Sequence, residues 1–120
     1  MNSEAQNSKR YDLEPRTLEF AKKVRTFVKK LPHTLGNIED GKQLVRSSGS
    51  IGANYIEANE SLSKRDFFMR VKISRKESKE CRYWLMLVEP HSKDFAERDT
   101  LIQEATEFMK MFGSMLGKAK

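Results

Sequence analysis

The side chains that most often do chemistry in a small protein are few here, and they are badly placed for it. The 120 residues contain two histidines and one cysteine. Di-iron helical bundles hold their metals with Glu-x-x-His pairs, and neither His33 nor His91 follows a glutamate at that spacing. Each histidine instead sits beside a proline, Pro32 or Pro90, where a loop is expected. Helical ribonucleases that set an arginine a turn or two before a histidine have no counterpart in this chain. Zinc sites draw mainly on several cysteines and histidines, which a lone Cys81 cannot supply. Gly49 and Gly52 do not form a phosphate-binding loop. Cys81 falls on an apolar helical stripe, where a thiol is packed and inert. The expectation is a protein that is not an enzyme, with no catalytic residues, metal, cofactor or small-molecule substrate.

What remains is charge. The net charge is +6, a balance that suits an anionic partner such as nucleic acid. Between Lys64 and Arg82 eight lysines and arginines stand against Asp66, Glu77 and Glu80. On a helix, Arg65, Lys72, Arg75, Lys76, Lys79 and Arg82 share one side, interleaved with Phe68, Tyr83 and Met86. Cations and flat side chains in that arrangement can hold phosphates and stack on bases. A solvated helix back has the same composition, so both readings stand. Glu77 and Glu80 fall within the arc of an apolar stripe instead. A carboxylate buried there needs a cation, and Arg46 is the expected partner; the alternative is that both glutamates reach water at the stripe's edge.

These residues must be positioned by helices. Apolar residues recur at three- and four-residue steps in four segments, and none alternates with the period of a strand. The first segment, about Leu13 to Leu31, carries Leu13, Phe20, Ala21, Val24, Phe27, Val28 and Leu31, with Asp12 as its N-cap and Pro15 in its first turn. The second, about Ile38 to Asn59, carries Leu44, Val45, Ser48, Ile51, Gly52, Tyr55 and Ile56. The third, about Lys64 to Glu89, opens with Ser63 and Asp66 in capping-box spacing. The fourth, about Asp94 to Leu116, carries Leu101, Ala105, Phe108, Met109, Phe112, Met115 and Leu116. Residues 1–10 are expected as a disordered tail and residues 11–120 as one all-α domain, an antiparallel up-and-down four-helix bundle.

Two helices hold more than one bundle needs. Beyond its stripe of Phe67, Val71, Ser74, Ser78, Cys81 and Leu85, helix three has a second stripe of Met69, Ile73, Trp84 and Leu87. The back of helix two carries Gln43, Arg46, Ser47, Ser50, Asn54 and Glu57 around Gly49 and Ala53. Small residues allow close approach, so this back can pack on another helix, in the favoured reading one from another subunit. The other reading is a weak helix broken near Gly49. Self-association as a homo-oligomer is expected from the first. The longest apolar run, Trp84 to Val88, is far too short to span a bilayer, for which about 20 residues are needed. The polar start, MNSEAQNSKR, carries no secretory signal, and the single cysteine leaves no internal disulfide. A cytoplasmic location is expected.

Three blocks, YDLEPRTLEFA, QLVRSSGSIGANYIEA and DFFMRVKISRKESKECRYWLMLV, resemble the bacterial four helix bundle protein family. That family includes proteins encoded by intervening sequences in 23S rRNA genes, often labelled S23 ribosomal proteins. The accessory variability proteins of diversity-generating retroelements look like relatives. The likeness covers Tyr11 to Leu116, and RSSGSIGANYIEA is its most specific part. It implies a left-handed antiparallel bundle, a homopentamer around a central channel, a basic surface contacting nucleic acid, and no catalytic activity. Arg46, Ser47, Ser50, Asn54 and Glu57 match the family's second-helix motif, and Glu80 its third-helix glutamate. Gly49 and Gly52 are a departure that loosens helix two. The function expected is nucleic-acid binding by an oligomeric bundle, with a protein-recruiting scaffold as the alternative.

Overall fold

The computed structural model describes residues 2–117, with side chains from residue 13 onward. Four helices follow one another: α1 (Asn2–Lys29), α2 (Leu35–Asn59), α3 (Lys64–Leu87) and α4 (Phe95–Gly117). A single 3-10 turn, Ser92–Asp94, leads into α4. No strand occurs among the described residues.

The contacts run in opposite senses along each neighbouring pair, which makes the bundle antiparallel. Asn37, Arg46, Ile51 and Asn54 on α2 meet Glu89, Glu77, Ser74 and Arg70 in falling order. Arg16 and Lys30 bracket α1 and α4 in the same way, meeting Glu104 and Glu97. Each helix packs on two neighbours, while α1 and α3, and likewise α2 and α4, face each other across the core, where Tyr55 of α2 meets Phe112 of α4 with ring centres 5.7 Å apart. Those two pairs are the diagonals of an up-and-down bundle.

The apolar stripes converge as their spacing requires. Phe20, Val24 and Phe27 from α1, Leu44, Ile51 and Tyr55 from α2, Val71, Cys81 and Leu85 from α3, and Leu101, Phe108 and Phe112 from α4 form one core. Phe20 meets Phe108 edge to face at 5.3 Å between ring centres, a favoured aromatic geometry. Thr34 Oγ1 accepts from the Asn37 N–H at 3.2 Å, and Ser63 Oγ from the Asp66 N–H at 3.1 Å. Each cap satisfies a donor that the helix itself cannot. Asn37 also ties the bundle's end: its amide donates to the carbonyls of Pro32 and Glu89, and its oxygen accepts from the Glu89 N–H, all at 2.9 Å.

One expectation needs correction: α1 begins at Asn2, not near Leu13, so Asp12 lies inside the helix instead of at its start. No glycine or proline stands between residues 2 and 14 to stop a helix, and Pro15 removes only one N–H from the ladder. α2 is continuous through Gly49 and Gly52, so of the two readings the helix broken near Gly49 fails. Gly52 is there for space: a Cβ on it would lie 2.7 Å from Thr17 Oγ1 of α1. Gly49 has nothing within 4 Å of such an atom.

Candidate nucleic-acid interface

α3 buries Val71, Ser74, Ser78, Cys81 and Leu85, and at 100° per residue the opposite side must face out. That side holds the basic stripe. Arg65, Lys72, Arg75, Lys76 and Lys79 are exposed and Arg82 is half-buried. Only Lys76 has a carboxylate within reach, Glu80 at 3.9 Å; the other five form no ion pair among the described residues. Arg75 leans toward α4, its Nε 3.6 Å from where a Cβ on Gly113 would be. Tyr83 and Met86 stand exposed beside the cations, Tyr83 meeting Trp84 edge to face at 5.1 Å. Phe68 is half-buried and rests on Phe67.

The polar residues expected between α2 and α3 separate into groups. Arg46 Nη1 and Nη2 donate to the two oxygens of Glu77 at 3.3 Å each, and Nη2 also reaches Glu80 at 3.3 Å. Glu77 is buried and Glu80 half-buried, so the expected cation–carboxylate pairing is present. The hydrogen bond to Glu77 is the main reason the Arg46 guanidinium holds its proton more tightly than usual. Further along, Asn54 donates to the Ser50 carbonyl at 2.9 Å and accepts from Arg70 at 3.1 Å. Glu57 stands exposed and its side chain makes no hydrogen bond or ion pair among the described residues.

Ser47, expected at an interface or in a buried polar network, lies in the buried layer between α2 and α3. It is fully buried, its hydroxyl donates to the Leu44 carbonyl at 3.3 Å, and it lies against Cys81 of α3 in the same chain. Burial pushes the Cys81 thiol up to about 12, against the opposing pull of Ser47. The thiol is protonated and inert at neutral pH. The second stripe of α3 is covered only in part: Ile73 and Trp84 are half-buried, and Met69 and Leu87 are exposed.

Sequence reasoning missed one charged cluster. Arg16 on α1 donates to both oxygens of Glu104, at 2.9 and 2.7 Å, and to Glu107 at 2.7 Å, while lying over the Phe108 ring. The Arg16 pKa is raised chiefly by its bond to Glu104, and the Glu107 pKa is lowered chiefly by Arg16. Helical periodicity carries no signal for a contact between residues some ninety positions apart. No group of three metal-binding side chains occurs among the described residues. The cleft between α1 and α4, about 420 Å³, is flanked by this ion cluster. None of the helices is long and apolar enough to cross a membrane, over the described residues.

Fold and site together define a small helical bundle with one strongly basic edge and an ion-paired layer between α2 and α3. The chain belongs to the 23S rRNA-intervening sequence protein family, whose sequence model matches residues 9–114. It is also similar to a crystal structure from Bacteroides thetaiotaomicron VPI-5482, a protein with unknown function from the S23 ribosomal protein family. That match has a TM-score of 0.77 and 29% identity, and covers 91% of this chain and 98% of the other. No curated protein matches the chain.

Proposed function

We propose that the protein is a non-enzymatic, self-associating bundle in the cytoplasm that binds structured nucleic acid, RNA or DNA, through the outer edge of α3. The observation that carries this reading is the row Arg65, Lys72, Arg75, Lys79 and Arg82, cations left without carboxylate partners beside the exposed Tyr83 and Met86. Unpaired cations have most to gain from phosphates, because binding releases condensed counterions and breaks no existing ion pair. Membership of a family named for an intervening sequence of 23S rRNA favours RNA. Fluorescence anisotropy with an RNA hairpin and a DNA duplex of equal length tests it. About five phosphate contacts give a slope of log affinity on log salt of roughly −4. The triple variant Lys72→Glu, Lys76→Glu, Lys79→Glu should abolish binding; unchanged binding removes this edge from consideration.

Self-association rests on the uncovered second stripe of α3, with Gly49 and Ala53 of α2 bearing no large side chain to block approach. The pentamer implied by the family likeness is the proposed assembly. Sedimentation velocity at micromolar concentration should show it, and Ala53→Trp should dissociate it before the bundle unfolds. A monomer under those conditions refutes self-association. A second reading, recruitment of another protein, is favoured by the exposed Leu35 and Ile38 of α2 and Tyr83, Met86 and Leu87 of α3. A salt-insensitive pull-down of one protein without nucleic acid would establish that reading.

A further inference from the structure

Charge on this bundle is sorted by diagonal. Over residues 13–29 α1 carries five lysines and arginines against two glutamates, and α3 eight against three acids. α2 carries two against three and α4 two against four. Since α1 and α3 are not neighbours and lie across the core from each other, the two basic helices face opposite ways. The two acidic helices lie between them on either side.

The α1 edge survives a count of its pairs. Arg16 is held by Glu104 and Glu107, and Lys30 by Glu97 and Asp94. Lys22 has only Glu19, at 3.6 Å and with both side chains exposed, a contact worth little. Lys23, Arg25 and Lys29 are exposed and unpaired among the described residues. Lys22, Arg25 and Lys29 recur at three- and four-residue steps on the side opposite Phe20, Val24 and Phe27. They form a line of about 10 Å pointing straight away from the core.

We infer that α1 is a second nucleic-acid contact, and that one bundle bridges two separate segments, one on α3 and one on α1. The inference rests on the reading of the α3 edge above. The width of the bundle keeps the two contacts independent. The Cα atoms span a cross-section of 27 by 21 Å, more than twice the distance of about 8–10 Å over which salt screens a charge. Phosphates held on α3 therefore leave the α1 cations unneutralised. α2 and α4 carry a small acidic excess and no row of cations between the two edges, so a strand crossing from one edge to the other gains no phosphate contacts on the way and each edge takes its own segment.

A bridging assay tests this with two RNA duplexes, one immobilised through biotin and one carrying a fluorophore. Wild-type protein should retain the fluorescent duplex on the surface. The variant Lys22→Glu, Arg25→Glu, Lys29→Glu should lower that retention by about tenfold or more, since each phosphate contact carries a share of the affinity. Its affinity for a single duplex in solution should change by less than about threefold, because the α3 edge lies beyond the screening distance. Far-UV circular dichroism checks the fold, and the milder triple change to glutamine should show the same split. The assay is run in the Ala53→Trp background, where the several α3 edges of an oligomer cannot bridge, and bridging that persists in both variants there overturns the inference. Single-duplex binding without bridging by wild type overturns it as well, and leaves the α3 reading intact. Failure of wild type to bind any duplex overturns the α3 reading itself.

Discussion

Replacing Gly52 by alanine should destabilise the bundle, although alanine is the better helix former by about 1 kcal/mol. The added Cβ would lie 2.7 Å from Thr17 Oγ1 and 3.1 Å from Thr17 Cβ. Thr17 is fully buried and its hydroxyl donates to the Glu14 carbonyl at 3.0 Å. Turning the side chain loses that bond and swings the methyl toward the same space. Separating α1 from α2 loosens a packed seam. Overpacking of this kind costs about 1–3 kcal/mol and a lost hydrogen bond about 1, so after the propensity gain the net loss is about 1–3 kcal/mol. The same change at Gly49 meets nothing within 4 Å and should gain nearly the whole propensity difference. Two identical substitutions one turn apart should therefore differ by about 2–4 kcal/mol, or roughly 10–15 °C in Tm for a chain of this size. Thermal and urea unfolding at one fixed protein concentration measure both. Adding Thr17→Ala to Gly52→Ala should recover part of the loss through a favourable coupling. A Gly52→Ala protein as stable as the Gly49→Ala protein would refute the close approach of α1 and α2 at this point.

Three further outcomes follow from the same geometry. Arg46→Ala leaves the buried Glu77 with neither of its two hydrogen bonds and should cost about 1–3 kcal/mol, below the full buried-pair penalty because Arg46 is itself half exposed; Glu77→Gln, measured by urea unfolding, should cost less. Asn37→Ala strips partners from two carbonyls and one N–H in the two loops and should cost about 2–4 kcal/mol, with amide exchange rising first at residues 31–37 and 88–91. The Cys81 thiol, raised from 9.0 to about 12 by burial, should resist alkylation until the bundle unfolds. Because its folded pKa is the higher one, its contribution to stability is complete below pH 9 and is lost as pH rises from there toward 12. At pH 10 that loss is about 1.4 kcal/mol, and a Cys81→Ala protein should lack this component of the alkaline destabilisation.

The basic edge of α3 was legible because it is a property of one helix. Once Val71, Ser74, Ser78, Cys81 and Leu85 claim the core, the period of 3.6 residues leaves Lys72, Lys76 and Lys79 no direction but outward. The Arg46–Glu77 contact needed one step more, the assumption that a carboxylate inside an apolar arc must find a cation. Ser47 shows where this reasoning fails: a small buried serine fits a neighbour from the same chain or from another equally well. Propensity misplaced the start of α1, since Asp12 and Pro15 make a sound cap signal and nothing upstream opposes a helix.

By itself, then, the sequence determined the four helices, their inward faces and the excess of positive charge on the first and third, because periodicity and composition are local. Only the tertiary structure decided which glycine is needed, which glutamates Arg16 holds, and that α1 and α3 lie on a diagonal. Those depend on which helix is next to which. That is settled by the packing of the whole core, and no window of neighbouring residues contains it.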